Sequence, residues 1–159
     1  MNELCRVALE VQFECEKRHW KFCFIGGLAV QHWGEPRFTR DVDLTLLTGF
    51  GKEEDYIDPL LETFAPRMEG CRDFALQNEV EPGAVLRRCS AEDLVIMKAF
   101  ADRLQDQLDV QRILQRQGAV NFDWDYITTH LRPLCQLKGA PEILKRLDKL
   151  KERLTEQDK

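Results

Sequence analysis

A chain of 159 residues and 18.6 kDa with 43% hydrophobic residues is expected to form one domain around a packed core. Its net charge of -5 and pI of about 5.3 exclude a general polyanion-binding surface, though not a local basic patch. No apolar run is long enough for a membrane span, and the opening MNELCRVALEVQFECEKRHW lacks the pattern of a signal peptide. None of the six cysteines forms a CxxC pair and several read as buried thiols, so a cytoplasmic location is expected.

In chain order, Leu4, Val7, Val11 and Cys15 give a helical stripe over Glu3 to His19. Phe22 to Ile25 is a short apolar run that reads as a buried strand. Gly26 and Gly27 turn the chain into a helix from Leu28 to Trp33, ended by Gly34 and Pro36. Val42, Leu44 and Leu46 alternate with Asp41, Asp43 and Thr45, the period of a strand with one apolar face. A helix follows over Glu53 to Phe64, with Tyr56, Leu60, Leu61 and Phe64 inward and Pro59 in its interior.

Phe74 to Val80 and Val85 to Arg88 are candidate strands. Ser90 and Asp93 resemble a capping box, opening a helix that reaches Gln115 with Leu94, Met97, Ala101, Leu104 and Leu108 on one side. Another helix runs from Asn121 or Phe122 to Leu131, stopped by Pro133. The last begins at Pro141, with Ile143, Leu147, Leu150 and Leu154 as its stripe. The expected fold is α/β in the α+β sense: a small mixed sheet in residues 1–88, then a helical tail over 89–159, together forming one domain.

Asp41 and Asp43 stand two apart, so on a strand their carboxylates leave the same face. Mg²⁺ is held by one or two such carboxylates together with substrate phosphates. Exposed strand aspartates without a ligand are the plain alternative. The N–H groups of a glycine turn at a helix start accept an anion, while a tight packing turn is the simpler use. Arg37 and Arg40 are suited either to phosphate or to a salt bridge that holds the loop. His32 reads as a packed histidine rather than a catalytic one. Trp20, Trp33 and Trp124 read as semi-buried, and the C-terminal lysines and arginines as a solvated helix face.

GGLAVQHWGEPRFTRDVDL, residues 26–44, resembles the signature of the nucleotidyltransferase superfamily that shares its fold with DNA polymerase beta. CSAEDLVIMKAFADRLQDQLDVQRILQRQG, residues 89–118, is similar to a helix of small bacterial relatives, the AbiEii toxin group and the MNT-type antitoxins. The resemblance implies transfer of a nucleoside monophosphate from a nucleoside triphosphate to an acceptor. Gly26 and Gly27 would contact the triphosphate, with Arg37 and Arg40 beside it. Asp41 and Asp43 would hold Mg²⁺, and Lys98 would reach the phosphates. Asp102, Asp106 and Asp109 read as architecture on the same helix.

The third carboxylate that active relatives carry on a later strand has no clear counterpart. Glu79 and Glu81 are the substitutes available in a shortened segment. The alternative is therefore a weak or inactive relative that binds nucleotide or a protein partner, as in a toxin–antitoxin system. The acceptor is unassigned, with RNA or protein as candidates, and a homodimer is a further expectation.

Overall fold

The computed structural model describes residues 3–64 and 85–157. The fold is mixed α+β and mostly helical, with a two-stranded antiparallel sheet among the described residues. Two compact units divide the chain: Met1–Phe24 with Arg40–Arg87, and Ile25–Thr39 with Arg88–Lys159. Among the described residues no helix is long and apolar enough to cross a membrane.

In the first unit, helix α1 covers Glu3–Lys17. Its buried face is Cys5, Ala8, Val11 and Cys15, with Leu4 and Val7 half-buried on the flank. The expected stripe is thus rotated by about one residue. Left-handed backbone at His19 ends the helix, and the Trp20 N–H returns to the Cys15 carbonyl at 3.0 Å. Burial raises the thiol pKa of Cys5 and Cys15, which keeps both protonated and inert.

Strand β1, Phe22–Phe24, pairs with β2, Leu44–Leu46, in the register Phe22↔Leu46 and Phe24↔Leu44. The strand expected from Asp41 therefore begins three residues later. The β1–β2 ladder stops at Phe24↔Leu44, because Ile25 leaves β1 to cap the next helix. Val85–Arg88 is likewise not a strand, apart from an isolated bridge at Arg88. The Gln12 side-chain amide holds this stretch to α1, donating to the Val85 carbonyl at 3.0 Å and accepting from the Arg87 N–H at 2.9 Å. The candidate strand Phe74–Val80 lies outside the described residues. A further helix of this unit, Glu54–Thr63, carries Pro59 and buries no residue fully. Tyr56 meets the Trp20 ring at 4.8 Å, but Leu61 is exposed rather than inward.

In the second unit, helix α2 is Gly26–Trp33. It starts at the first glycine rather than at Leu28. Taking the Glu54–Thr63 helix as α3, the remaining helices are α4 (Ala91–Ala101), α5 (Leu104–Gln117), α6 (Trp124–Lys138) and α7 (Glu142–Gln157). Ser90 caps α4 as expected: its hydroxyl accepts from the Asp93 N–H at 3.0 Å and donates to Asp93 Oδ2 at 2.8 Å.

The single helix expected from Ser90 to Gln115 is instead two. Asp102 takes left-handed backbone (φ 60°), which an aspartate tolerates better than most residues, and Arg103 is extended. Leu104 and Leu108, expected on the inner stripe, are exposed, and Val110, Ile113 and Leu114 are buried in their place. Helix α6 runs through Pro133 because Leu131 and Cys135, one turn apart, are both buried on the core side. It ends at Gly139, whose left-handed backbone lets its N–H reach the Cys135 and Gln136 carbonyls. Ile143, Leu147 and Leu154 are the buried face of α7, as the stripe implied.

Candidate functional site

The residues singled out from sequence divide between the units. Arg40, Asp41 and Asp43 belong to the first, whereas Gly26, Gly27, Arg37 and Lys98 belong to the second.

In the first unit, Asp41, Asp43, Thr45 and Leu47 are exposed, while Val42, Leu44 and Leu46 are half-buried. The alternation runs upstream of β2, so both carboxylates share the solvent side although neither lies in the strand. Arg40 is exposed beside them. Carboxylate oxygens are the donor type that Mg²⁺ bound with substrate phosphates takes. Among the described residues no group of three or more His, Cys, Asp or Glu side chains is gathered for a metal. Glu79 and Glu81 lie outside the described residues.

In the second unit, Ile25 is extended and caps α2 without a side-chain hydrogen bond, and the first turn holds no acidic residue. Gly26 has φ 58°, a conformation glycine enters without steric cost. Gly27 is buried, and the Thr39 side chain fills the space beside it. A Cβ at Gly27 would lie 2.5 Å from Thr39 Cβ and closer still to its hydroxyl oxygen.

Lys98 and Arg37 converge on two buried aspartates. The Lys98 ammonium lies 2.7 Å from Asp106 Oδ1 and 3.0 Å from Asp109 Oδ2. Arg37 places Nε on Asp109 Oδ1 and Nη2 on Oδ2, each at 3.2 Å, a two-pronged pairing that lysine cannot copy. Arg103 Nε reaches Asp106 Oδ2 at 2.7 Å, and Gln105 Nε2 donates to Asp109 Oδ1 at 3.0 Å. Asp106 is 2% exposed and Asp109 0%, so only this saturation with donors keeps the two charges tolerable. Asp102, by contrast, pairs with Arg146 at 2.5 Å and with Gln107.

Burial pushes the Asp106 pKa up, but hydrogen bonds and charge from Lys98 and Arg103 outweigh it. The net value is below that of an ordinary aspartate. Such a group contributes its full stability above the unfolded aspartate pKa of about 3.9 and loses it as pH falls through the lower folded value. Asp106→Asn is therefore expected to flatten the acid limb of the stability curve below about pH 4. Urea denaturation across that range checks this; an unchanged limb contradicts it.

Helix α5 presents further polar side chains to the end of α2 and the segment after it. Gln117 donates to the Trp33 carbonyl at 2.7 Å, Arg116 donates to the Gly34 carbonyl, and Arg112 pairs with Glu35 at 3.0 Å. The sequence reading names Asp109 alone of this stripe, although Gln105, Arg112 and Arg116 stand at helical spacing with it. His32 lies edge-on to Trp33 at 4.5 Å, and partial burial, followed by the charges of Arg88 and Arg116, lowers its pKa. Trp33 and Trp124 donate their indole N–H groups to the Cys89 and Ala119 carbonyls at 2.9 and 2.8 Å, which makes both half-buried packing residues.

No family model matches this chain, and no curated protein matches it in sequence.

Proposed function

We propose that this is a nucleotidyltransferase-like protein that binds a Mg²⁺-complexed nucleoside triphosphate and transfers its nucleoside monophosphate to an acceptor. One observation carries the reading: a glycine turn without a side-chain cap, closed by Thr39, is followed in the chain by two aspartates that are both exposed. The resemblance of residues 26–44 to the superfamily signature supports it.

In this reading the N–H groups at Gly26 and Gly27 bind triphosphate oxygens, and Arg40 offsets their charge. Asp41 and Asp43 hold Mg²⁺, which when bound neutralises charge developing on the transferred phosphoryl group. The acceptor oxygen bonds to the α-phosphorus as the α–β anhydride bond breaks, and pyrophosphate leaves with the electron pair. The acceptor proton needs a base, for which the sequence offers Glu79 and Glu81. Lys98 and Arg37 serve through the aspartates they hold.

A second reading, binding of nucleotide or a partner protein without transfer, is favoured by the stretch before α4. Val85 to Cys89 carry no carboxylate side chain, so the described part of that stretch supplies no later acid. Incubation with α-phosphate-labelled ATP, CTP, GTP and UTP, Mg²⁺, and RNA or protein acceptors separates the two. Label transfer that Asp41→Asn abolishes supports the enzyme. Triphosphate binding without transfer to either acceptor class supports the second reading.

A further inference from the structure

We propose that the network of half-buried Arg37 with buried Asp109 and Lys98 is the positioning device that seats Thr39 on Gly27 and so sets the shape of the glycine turn. The inference rests on the reading of Gly26 and Gly27 as the triphosphate contact. It concerns residues that act through others rather than on substrate.

The argument starts from the space at Gly27. Thr39 fills it so closely that no side chain fits at that glycine, and the turn and Thr39 therefore determine each other's place. Twelve positions of chain separate the two, half of them in α2 itself, so something must bring the later segment back. The clamps lie on residues 33–37. Trp33, Gly34 and Glu35 are held by Gln117, Arg116 and Arg112 of α5. The Arg37 carbonyl accepts from Gln31 at 3.1 Å, and its guanidinium grips Asp109. Arg37 is the last of these clamps before Thr39, two residues on.

Asp109 is held from other directions by Lys98 of α4 and Gln105 of α5. An apolar cluster of the same volume stabilises a fold at least as well as buried charges, but does not fix the direction of a guanidinium. The paired contact of Arg37 with both Asp109 oxygens fixes distance and plane together. Thr39 then stands with its hydroxyl against the start of α2, next to the N–H groups assigned to the triphosphate.

The test uses the full chain and Arg37→Lys, which keeps the charge and removes the fork. The probes are the nuclear Overhauser contact between Gly27 and the Thr39 methyl, the amide shifts of Gly26, Gly27 and Thr39, the melting temperature, and Mg²⁺–ATP affinity by calorimetry. Asp109→Asn, similar in shape, serves as a second variant should the first not fold. Arg103→Lys is the control, because Arg103 joins the network at its exposed rim.

The expected result is loss of the Gly27–Thr39 contact and an affinity about tenfold weaker in Arg37→Lys, with the control unchanged. A Gly27–Thr39 contact that survives in both Arg37→Lys and Asp109→Asn overturns the positioning role, whether or not nucleotide binds. Loss of the contact with undiminished affinity overturns the link to binding. Loss of the contact in a protein whose wild type binds none of ATP, CTP, GTP and UTP with Mg²⁺ upholds the positioning role and sinks the nucleotide reading alone.

Discussion

Asp109→Ala is expected to destabilise the protein by about 3–5 kcal/mol, the usual cost of removing one partner from a buried ion pair. Asp109 is fully buried and takes hydrogen bonds or charge from Arg37, Lys98 and Gln105. Alanine leaves the Lys98 ammonium with Asp106 alone and the Arg37 guanidinium without its carboxylate. For a chain of this size the loss corresponds to a fall of about 6–20 °C in melting temperature. Asp109→Asn keeps an acceptor oxygen and is expected to cost less. Thermal and urea denaturation of both variants read the difference. A melting point for Asp109→Ala within two or so degrees of wild type contradicts the view that this network organises the second unit.

Gly27→Ala is the second substitution with a large expected effect. Its added carbon would lie 2.5 Å from Thr39 Cβ, where no real carbon sits, so Thr39 must move. The segment before it is held by α5 and resists that movement. Overpacking of this kind costs about 1–3 kcal/mol. On the proposed function it also removes triphosphate binding, because the turn no longer presents its N–H groups. Thr39→Gly in the same chain removes the clashing atoms and is expected to recover much of the lost stability. Denaturation of the two single variants and the double variant gives the coupling directly. Additive effects would mean that the two residues do not share that space.

Much of the local structure could be read from residue order. The Ser90 cap, the buried stripe of α7 and the opening of α2 by two glycines follow from rules that act within a few residues. The shared exposure of Asp41 and Asp43 was also legible, because the alternation continues along the chain beyond the end of the β1–β2 ladder. The strand boundary was not legible: it depends on where β1 ends, and Ile25 leaves that strand for reasons local to itself.

The break at Asp102 was hidden for a different reason. No glycine or proline marks it, and Leu94, Met97, Ala101, Leu104 and Leu108 imitate one continuous stripe. Pro133 misled in the opposite direction, since burial of Leu131 and Cys135 outweighs one lost hydrogen bond. For Lys98 and Arg37 the residue types were informative but their partners were not. The pairing with Asp106 and Asp109 requires two helices and a segment 72 positions away from Asp109, which spacing along one helix cannot encode.

The most direct test of the central claim is calorimetric titration of the folded protein with ATP, CTP, GTP and UTP, with and without Mg²⁺, beside the Asp41→Asn/Asp43→Asn double variant. The proposed function predicts binding of at least one triphosphate that requires Mg²⁺ and disappears in the variant, while the variant's fold is unchanged because both side chains are exposed. Absence of binding to wild type, or equal binding by the variant, would contradict it.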